Sequence, residues 1–548
     1  MSSFFTAPAS QKKRKRTGTA ATAPEKRSRK RREDSISSGE SDDDDNRPQA
    51  EEYESNESSD AENETAAERR LRLAERYLEN IKEEVDEAGF DAAEIDRDLI
   101  AERLKEDVAE GKGKVYRRIA TTLDFDSATK NLFRSDNLAT TAVATCAPYA
   151  YTATKDMCLV KWQIQSPPNS KADHPSNLTP RRRPTQLAYT KGNKRYGNDP
   201  KYQHHTAPIL CCAASADGKF VATGGADRRL IIWNAKDLSP LKVFTHHRDA
   251  VNALAFRRNT NQLFSASSDR TIKVWSLDEL AYVDTLFGHQ DSVVDIGALA
   301  QERCVSVGSR DRTARLWKVV EESQLVFRGG GSSEKRIAKG QSGAHAEGSI
   351  DKIAMVDEDT FVTGSDNGSI SLWSVHKKKP VFTLPLAHGL DPPMKPEEVH
   401  ADAETSEAWI PPQIPRWITA LATIPYTDVI LSGSWDGWVR AWKVSDDGKR
   451  LEAIGTIGAT GSSRATTEES EGCQQAEENV RGVINDLSIF ERGDRGRDGV
   501  CVVAAVGKEM KFGRWKQYPG KNAAVVFEVS KKAVDGVNGD QQGAEEAD

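Results

Sequence analysis

The chain has 548 residues, with 77 lysines and arginines against 84 acidic residues and a formal charge of −7. That length exceeds one small core and accommodates a large domain with extensions. No apolar run of about 18 residues exists and Met1–Ser10 carries no signal-peptide core, so neither a membrane span nor secretion is expected. The seven cysteines are scattered without a CxxC pair. Cys211 and Cys212, adjacent in a predicted strand, point to opposite faces and read as buried thiols of a reducing compartment, not as metal ligands. No metal or cofactor site is expected.

Residues 1–64 have the composition of a disordered tail. Lys12, Lys13, Arg14, Lys15 and Arg16 are followed, after nine residues, by Lys26, Arg27, Arg29, Lys30, Arg31 and Arg32. Two basic clusters with such a spacer read as a bipartite nuclear import signal, with an RNA-binding arm as the second reading. Glu33 to Glu64 then carries 14 acidic residues in 32, a stretch that repels itself and buries nothing. Ser37, Ser38 and Ser41 beside Asp42–Asp45 offer sites to an acid-directed kinase.

Residues 65–118 change to an amphipathic helical extension. Leu71, Ala74, Leu78, Ile81, Val85 and Ala88 step by three and four along one stripe, and Ile95, Leu99, Leu104 and Val108 continue it beyond Gly89. The stripe suits either a helical hairpin packed on the following domain or a surface held for a partner.

From 119 to 530 a repeat takes over. His205, His247 and His289 are spaced by 42; Asp227, Asp269 and Asp311 each follow 22 residues later; Trp233, Trp275 and Trp317 follow those by 6. A period of this length, with His early and Trp late, predicts an all-β, seven-bladed propeller of four-stranded blades. Asp156 with Trp162 marks the first blade. His345, Asn367 and Trp373 mark the fifth. Asp436 with Trp442 marks the sixth, and Glu509 with Trp515 the seventh, both without a His. The ring is closed by Ala524–Val529, by a strand near Ala128–Arg134, or by both.

His, Asp and Ser at fixed offsets suggest a hydrolase triad at first sight, but recurrence at one period argues for structure. A buried Trp needs a partner for its N–H. Ser265 or Ser267 can accept it in the third blade, with His247 behind the hydroxyl and Asp269 holding the imidazole. No catalytic residue is expected.

Insertions at 164–184, with Arg181–Arg183 on the face opposite the Asp turns, and at 329–344, 389–415 and 459–479 read as surface loops. The segment 531–548 reads as a disordered C-terminal tail. On the Asp-turn rim, cations gather in one sector. Arg228, Arg229, Arg270, Arg310 and Arg312 flank the Asp positions, Arg248 follows His247, and the first interblade loop adds Lys191, Lys194, Arg195 and Lys201 with Tyr196 and Tyr202 between them. Cations interleaved with aromatics suit nucleic acid, through phosphate contacts and base stacking. The bland alternative is a solvated rim whose arginines pair with nearby acids. Trp435 and Trp438, flanking Asp436, either stack on a ligand or are packed.

The residues LRLAERYLENI (71–81), DLIAERLKEDV (98–108), HRDAVNALAFRRNTNQLFSASSDRTIKVW (247–275), YVDTLFGHQDSV (282–293), EESQLVF (321–327) and VGKEMKFGRW (506–515) resemble the WD-repeat proteins of the U3 small nucleolar ribonucleoprotein. The resemblance covers roughly 65–518, with departures at the insertions 389–415 and 459–479 and the loop before His345. It implies a non-enzymatic, nuclear and nucleolar scaffold that binds the box B/C region of U3 RNA beside a small kink-turn-binding ribonucleoprotein. It further implies box C/D core and processome proteins as partners in pre-rRNA processing toward 18S rRNA. The competing class is a nuclear protein-interaction propeller, a chromatin reader or ligase substrate adaptor.

Overall fold

The computed structural model describes residues 115–134, 136–164, 183–197, 199, 201–329, 347–394, 413–458, 480–493, 496–513 and 516–532, plus nine helical residues between Arg72 and Ala109. The basic clusters, the acidic stretch, the C-terminal tail beyond Lys532, His345, Trp515, Arg181 and Arg182 lie outside the described residues.

Apolar β-branched runs punctuated by turns pair into seven antiparallel four-stranded sheets. The third blade shows the pattern: Val251–Phe256, Gln262–Ser267, Thr271–Ser276 and Ala281–Phe287. Its second strand is buried at five of six positions, whereas its fourth, at the circumference, is half-exposed to exposed throughout. Successive inner strands touch from blade to blade, and the inner strand of the last blade, Val483–Glu491, touches that of the first, Thr140–Cys146. The sheets therefore form a closed ring, with apolar clusters between blades.

Both proposed segments close it. Ala523–Lys531 is the third strand of blade seven, and Leu123–Phe133, from the start of the propeller, pairs antiparallel with it as the outer fourth. The approach to that strand is clamped on blade six: the Arg117 N–H donates to Tyr426 O at 2.9 Å, and Asp428 Oδ1 accepts from the Ile119 and Ala120 N–H groups at 2.8 and 3.0 Å. This corrects the assignment of Trp515. The third strand of blade seven runs over Ala523–Lys531, so the Glu509 and Trp515 spacing does not mark it, and Trp515 itself lies outside the described residues. Val502 pairs with Phe527, and Ala504 with Val525. Counted from the bulge of the inner strand, Phe527 and Ala504 take the places that Trp275 and Ser265 occupy in blade three, so apolar contacts replace the hydrogen-bonded network there.

Six of the seven inner strands carry a register shift near their start, between Ile209 and Cys211, Val251 and Ala253, Val293 and Asp295, Ile350 and Lys352, Thr140 and Ala142, and Ile484 and Asp486. A bulge leaves one residue out of the ladder and re-aims its side chain. Leu210, Asn252, Val294, Asp351 and Asn485 are such residues, and all line a cavity of about 1090 Å³ at the mouth of the channel.

Candidate nucleic-acid interface

Four blades carry the same proton chain. In blade three the Trp275 N–H donates to Ser265 Oγ at 2.8 Å, that hydroxyl lies 2.8 Å from His247 Nε2, and His247 Nδ1 lies 2.9 Å from Asp269 Oδ2. A carboxylate only accepts, so Nδ1 carries the proton and the neutral ring's Nε2 accepts from the hydroxyl. Ser265 is the partner; the Ser267 hydroxyl donates instead to Asp249 O. Blade two uses Thr223 between Trp233 and His205, and blade four uses Ser306 between Trp317 and His289.

The sixth blade was expected to lack the histidine, and the structure corrects this. His388 Nδ1 lies 2.9 Å from Asp436 Oδ2, His388 Nε2 lies 2.8 Å from Ser432 Oγ, and the Trp442 N–H donates to that Ser at 2.8 Å. The insertion 389–415 follows this His directly and stretches the His-to-Asp spacing to 48 residues. Blades one and five keep the Trp–Thr bond, Trp162 to Thr152 and Trp373 to Thr363.

These sets hold structure together. Ser265 is completely buried and its oxygen is already engaged by the indole, so no substrate carbonyl can reach it. Burial works against ionisation of Asp227, Asp269, Asp311 and Asp436, but the histidines and backbone N–H groups outweigh it and hold each carboxyl below the ordinary range. A carboxyl depressed on folding stabilises the protein fully above its unfolded value of about 4, and that contribution is lost as pH falls through the folded value. Melting temperatures are therefore expected to drop as pH falls below about 4, and Asp269→Asn should flatten that drop. An Asp269→Asn slope identical to the parent's would contradict the role given to these carboxylates.

Because Asp227, Asp269 and Asp311 are spent on imidazoles, the neighbouring arginines do not pair with them. The residue after each Asp adopts a left-handed backbone, with φ of 65° at Arg228, 68° at Arg270 and 51° at Arg312. Glycine takes that place in blades five and six, at Gly368 and Gly437. Arg228, Arg248, Arg270, Arg310, Lys191, Lys194, Arg195 and Lys201 are all exposed, and among the described residues none is held in an ion pair. By the antiparallel order of each blade, the turns between second and third strands share one rim with the interblade connections, so these cations lie along one sector spanning blades one to four. Lys191, Lys194 and Arg195 also line an open concavity of about 770 Å³.

Other expected contacts are spent internally. Arg229 donates to Tyr202 O at 2.8 Å and to His204 O at 3.3 Å, fastening the first interblade loop. Arg312 donates to Glu347 O at 3.1 Å. Tyr196 and Tyr202 stack on each other, ring centres 5.0 Å apart, and His204 continues the ladder to Trp233. Tyr196, at its outer end, is half exposed. Trp435 is packed: its ring lies between Trp417 and Tyr518, and its N–H donates to Asp391 at 2.8 Å. Trp438 is half-buried, and its backbone N–H is taken by Asp436 Oδ1. The repeat also gave no sign of the channel groups. Lys352 Nζ reaches Asp295 at 3.7 Å and Asp486 at 3.8 Å, joining blade five to blades four and seven, and Lys511 from blade seven donates to Asn252 O in blade three at 3.0 Å.

Comparison with known proteins agrees with this architecture. The WD domain, G-beta repeat matches residues 199–234, 238–276, 281–318 and 414–443, which fall in blades two, three, four and six. Ribosomal RNA-processing protein 9 of Saccharomyces cerevisiae is 34% identical, over 84% of this chain and 88% of its own. U3 small nucleolar RNA-interacting protein 2 of Homo sapiens is 38% identical, over 82% of this chain and 79% of its own. The chain belongs to the U3 small nucleolar ribonucleoprotein WD-repeat family. A crystal structure of RRP9 WD40 repeats shares the family fold with a TM-score of 0.56 and 31% identity, spanning 74% of this chain and 99% of that one. The U3-family assignment reaches well beyond the four matched repeats, because the aligned lengths take in the irregular blades and the connections between them.

Proposed function

We propose that this chain is the RNA-binding scaffold of a U3 small nucleolar ribonucleoprotein, acting within the small-subunit processome in pre-rRNA processing toward 18S rRNA. Its relatives are named for ribosomal RNA processing and for interaction with U3 RNA. The observation that carries the RNA contact is the sector of exposed, unpaired cations on the Asp-turn rim. Cations without acidic partners have counterions to release, and that release drives phosphate binding. On this reading Arg228, Arg248, Arg270, Arg310, Lys191, Lys194, Arg195 and Lys201 meet phosphates, while Arg229 and Tyr202 shape the loop and Tyr196 offers one ring face. Box B/C selectivity, the small kink-turn-binding protein, box C/D core proteins, and nuclear and nucleolar residence with entry through the paired basic clusters belong to the same proposal. Nothing observed favours the chromatin-reader or ligase-adaptor alternative.

The test is RNA binding by the full chain across a salt series. Arg228, Arg248 and Arg270 changed together to Gln should weaken binding to U3 and to unrelated folded RNA alike. Each lost contact should flatten the log–log salt slope by about 0.7–0.9. Gln keeps the side chain's length, and an unchanged melting temperature would show that the turns survive. A folded triple variant with unchanged affinity and slope would reduce the rim to a solvated surface. RNA recovered with the chain from nuclei, enriched in one box C/D species, would support the particle assignment independently.

A further inference from the structure

The rim and the channel mouth it surrounds differ in chemistry. Asp351 is the bulged residue of blade five, left out of the ladder between the Ile350–Ser365 and Lys352–Gly364 pairs. At the corresponding positions blade two has Leu210 and blade four Val294. One place in this ring of otherwise uncharged side chains thus carries a carboxylate into the cavity. Its hydrogen-bond partner is the Ser349 hydroxyl, which donates to Oδ1 at 2.9 Å. A second carboxylate, Asp366, lines the same cavity and accepts the Gly348 N–H at 2.9 Å. Among the described residues neither is in an ion pair. Lys352, next in sequence to Asp351, is drawn to Asp295 and Asp486, and Lys511 is spent on Asn252 O. Trp417 and Phe512 supply aromatic lining, and Phe512 is 48% exposed.

We infer that the channel mouth binds a cationic side chain, arginine or lysine, projecting from an extended segment of a protein partner. The cavity is also lined by Lys155, Lys352, Lys511, Arg310 and Arg312. Lys155 is spent on Glu509 and the Met510 carbonyl, Lys352 on Asp295 and Asp486, Lys511 on Asn252 O and Arg312 on Glu347 O. That leaves the two carboxylates without a counterion to attract one guanidinium or ammonium. The aliphatic stem of that side chain would lie against Leu210 and Val294, and its charge would gain from the Trp417 ring, since the Lys511 ammonium already lies 5.0 Å from the Phe512 ring centre. The cavity is of the size that takes a side chain with some flanking backbone. Phosphates meet the opposite situation here. Asp351 and Asp366 repel them, although Arg310 and Arg312 line the same cavity. The face is thereby divided, with phosphate contacts proposed on the outer sector and a peptide in the middle, so both ligands can occupy it together.

Burial, joined by the charges of Asp366 and Asp295 and opposed by the Ser349 bond and Lys352, pushes the Asp351 carboxyl up to about 6. A bound cation favours the ionised form, so peptide binding should release a proton and weaken as pH falls below about 6. The probe is acetyl-Ala-Arg-Ala-amide, with its citrulline and glutamate counterparts, titrated into the full chain and followed by saturation-transfer NMR at pH 5.5 and 7.5. The arginine peptide should bind at least about ten-fold more tightly than the citrulline one at pH 7.5, and the gap should narrow at pH 5.5. Asp351→Asn with Asp366→Asn should abolish that preference while the melting temperature and U3 affinity hold; if that pair fails to fold, Asp366→Asn alone should halve the preference or better. Equal binding of arginine and citrulline peptides would overturn the inference, as would a preference that survives in a folded variant. Displacement of the arginine peptide by a short single-stranded RNA from a chain whose rim arginines are replaced by Gln would assign the mouth to nucleic acid instead. The rim proposal is read from the RNA salt series, so the two can fail separately.

Discussion

Replacing Trp275 by Ala should destabilise the propeller by roughly 3–5 kcal/mol, the range for removing a large buried aromatic. The indole is completely buried, packs against Phe244 with ring centres 4.4 Å apart, and donates to Ser265. Its loss leaves a cavity between blades and frees the hydroxyl that locates His247. A companion substitution tests whether the same physics runs where no repeat spacing marks it. His388→Ala leaves Asp436 and Ser432 buried without their imidazole and should cost about 1–3 kcal/mol. Denaturant unfolding of the full chain reads both. A Trp275→Ala protein with an unchanged midpoint would show that the blade network carries no stability.

A chain lacking everything before Arg134 should fail to form a cooperative propeller. The lost strand, Leu123–Phe133, buries Leu123, Phe125 and Phe133, each worth roughly 1.5–3 kcal/mol against exposure. Its absence also bares the edge of Ala523–Lys531, a ready template for pairing with another chain. Size-exclusion chromatography should show aggregation or an expanded chain. Supplying residues 115–133 in trans as a peptide should restore part of the monomeric peak. A monodisperse truncated protein that melts like the parent would refute the closure described here.

The propeller was legible because its blades share a physical requirement. A Trp buried between sheets needs an acceptor, that acceptor needs an imidazole, and the imidazole needs a carboxylate, so the sequence repeats the set at one spacing. Reading failed where chain length intervened or where the requirement lapsed. His388 makes the full set of contacts, but the insertion behind it hides the spacing. Glu509 and Trp515 keep the six-residue spacing, yet at the network positions blade seven has Val502, Ala504, Val525 and Phe527, which need no polar partners. For the interface, the sequence placed the cations on one rim. It did not show that Arg229 and Arg312 are tied to carbonyls, that Tyr196 and Tyr202 stack on each other, or that Trp435 is packed. Asp351 was invisible because a bulge is a property of register between two strands, and one strand's residues do not announce it.

The pairing of Leu123–Phe133 with Ala523–Lys531 also sets a schedule for synthesis. The two strands are separated by about 390 residues. At roughly 5–20 residues per second, the first waits about 20–80 s before its partner leaves the ribosome. Throughout that interval the blades already made form an open arc with an unpaired leading strand that leaves Leu123, Phe125 and Phe133 uncovered. The ring cannot lock until translation is nearly finished, so the nascent chain is the form of this protein most exposed to aggregation and most in need of a chaperone.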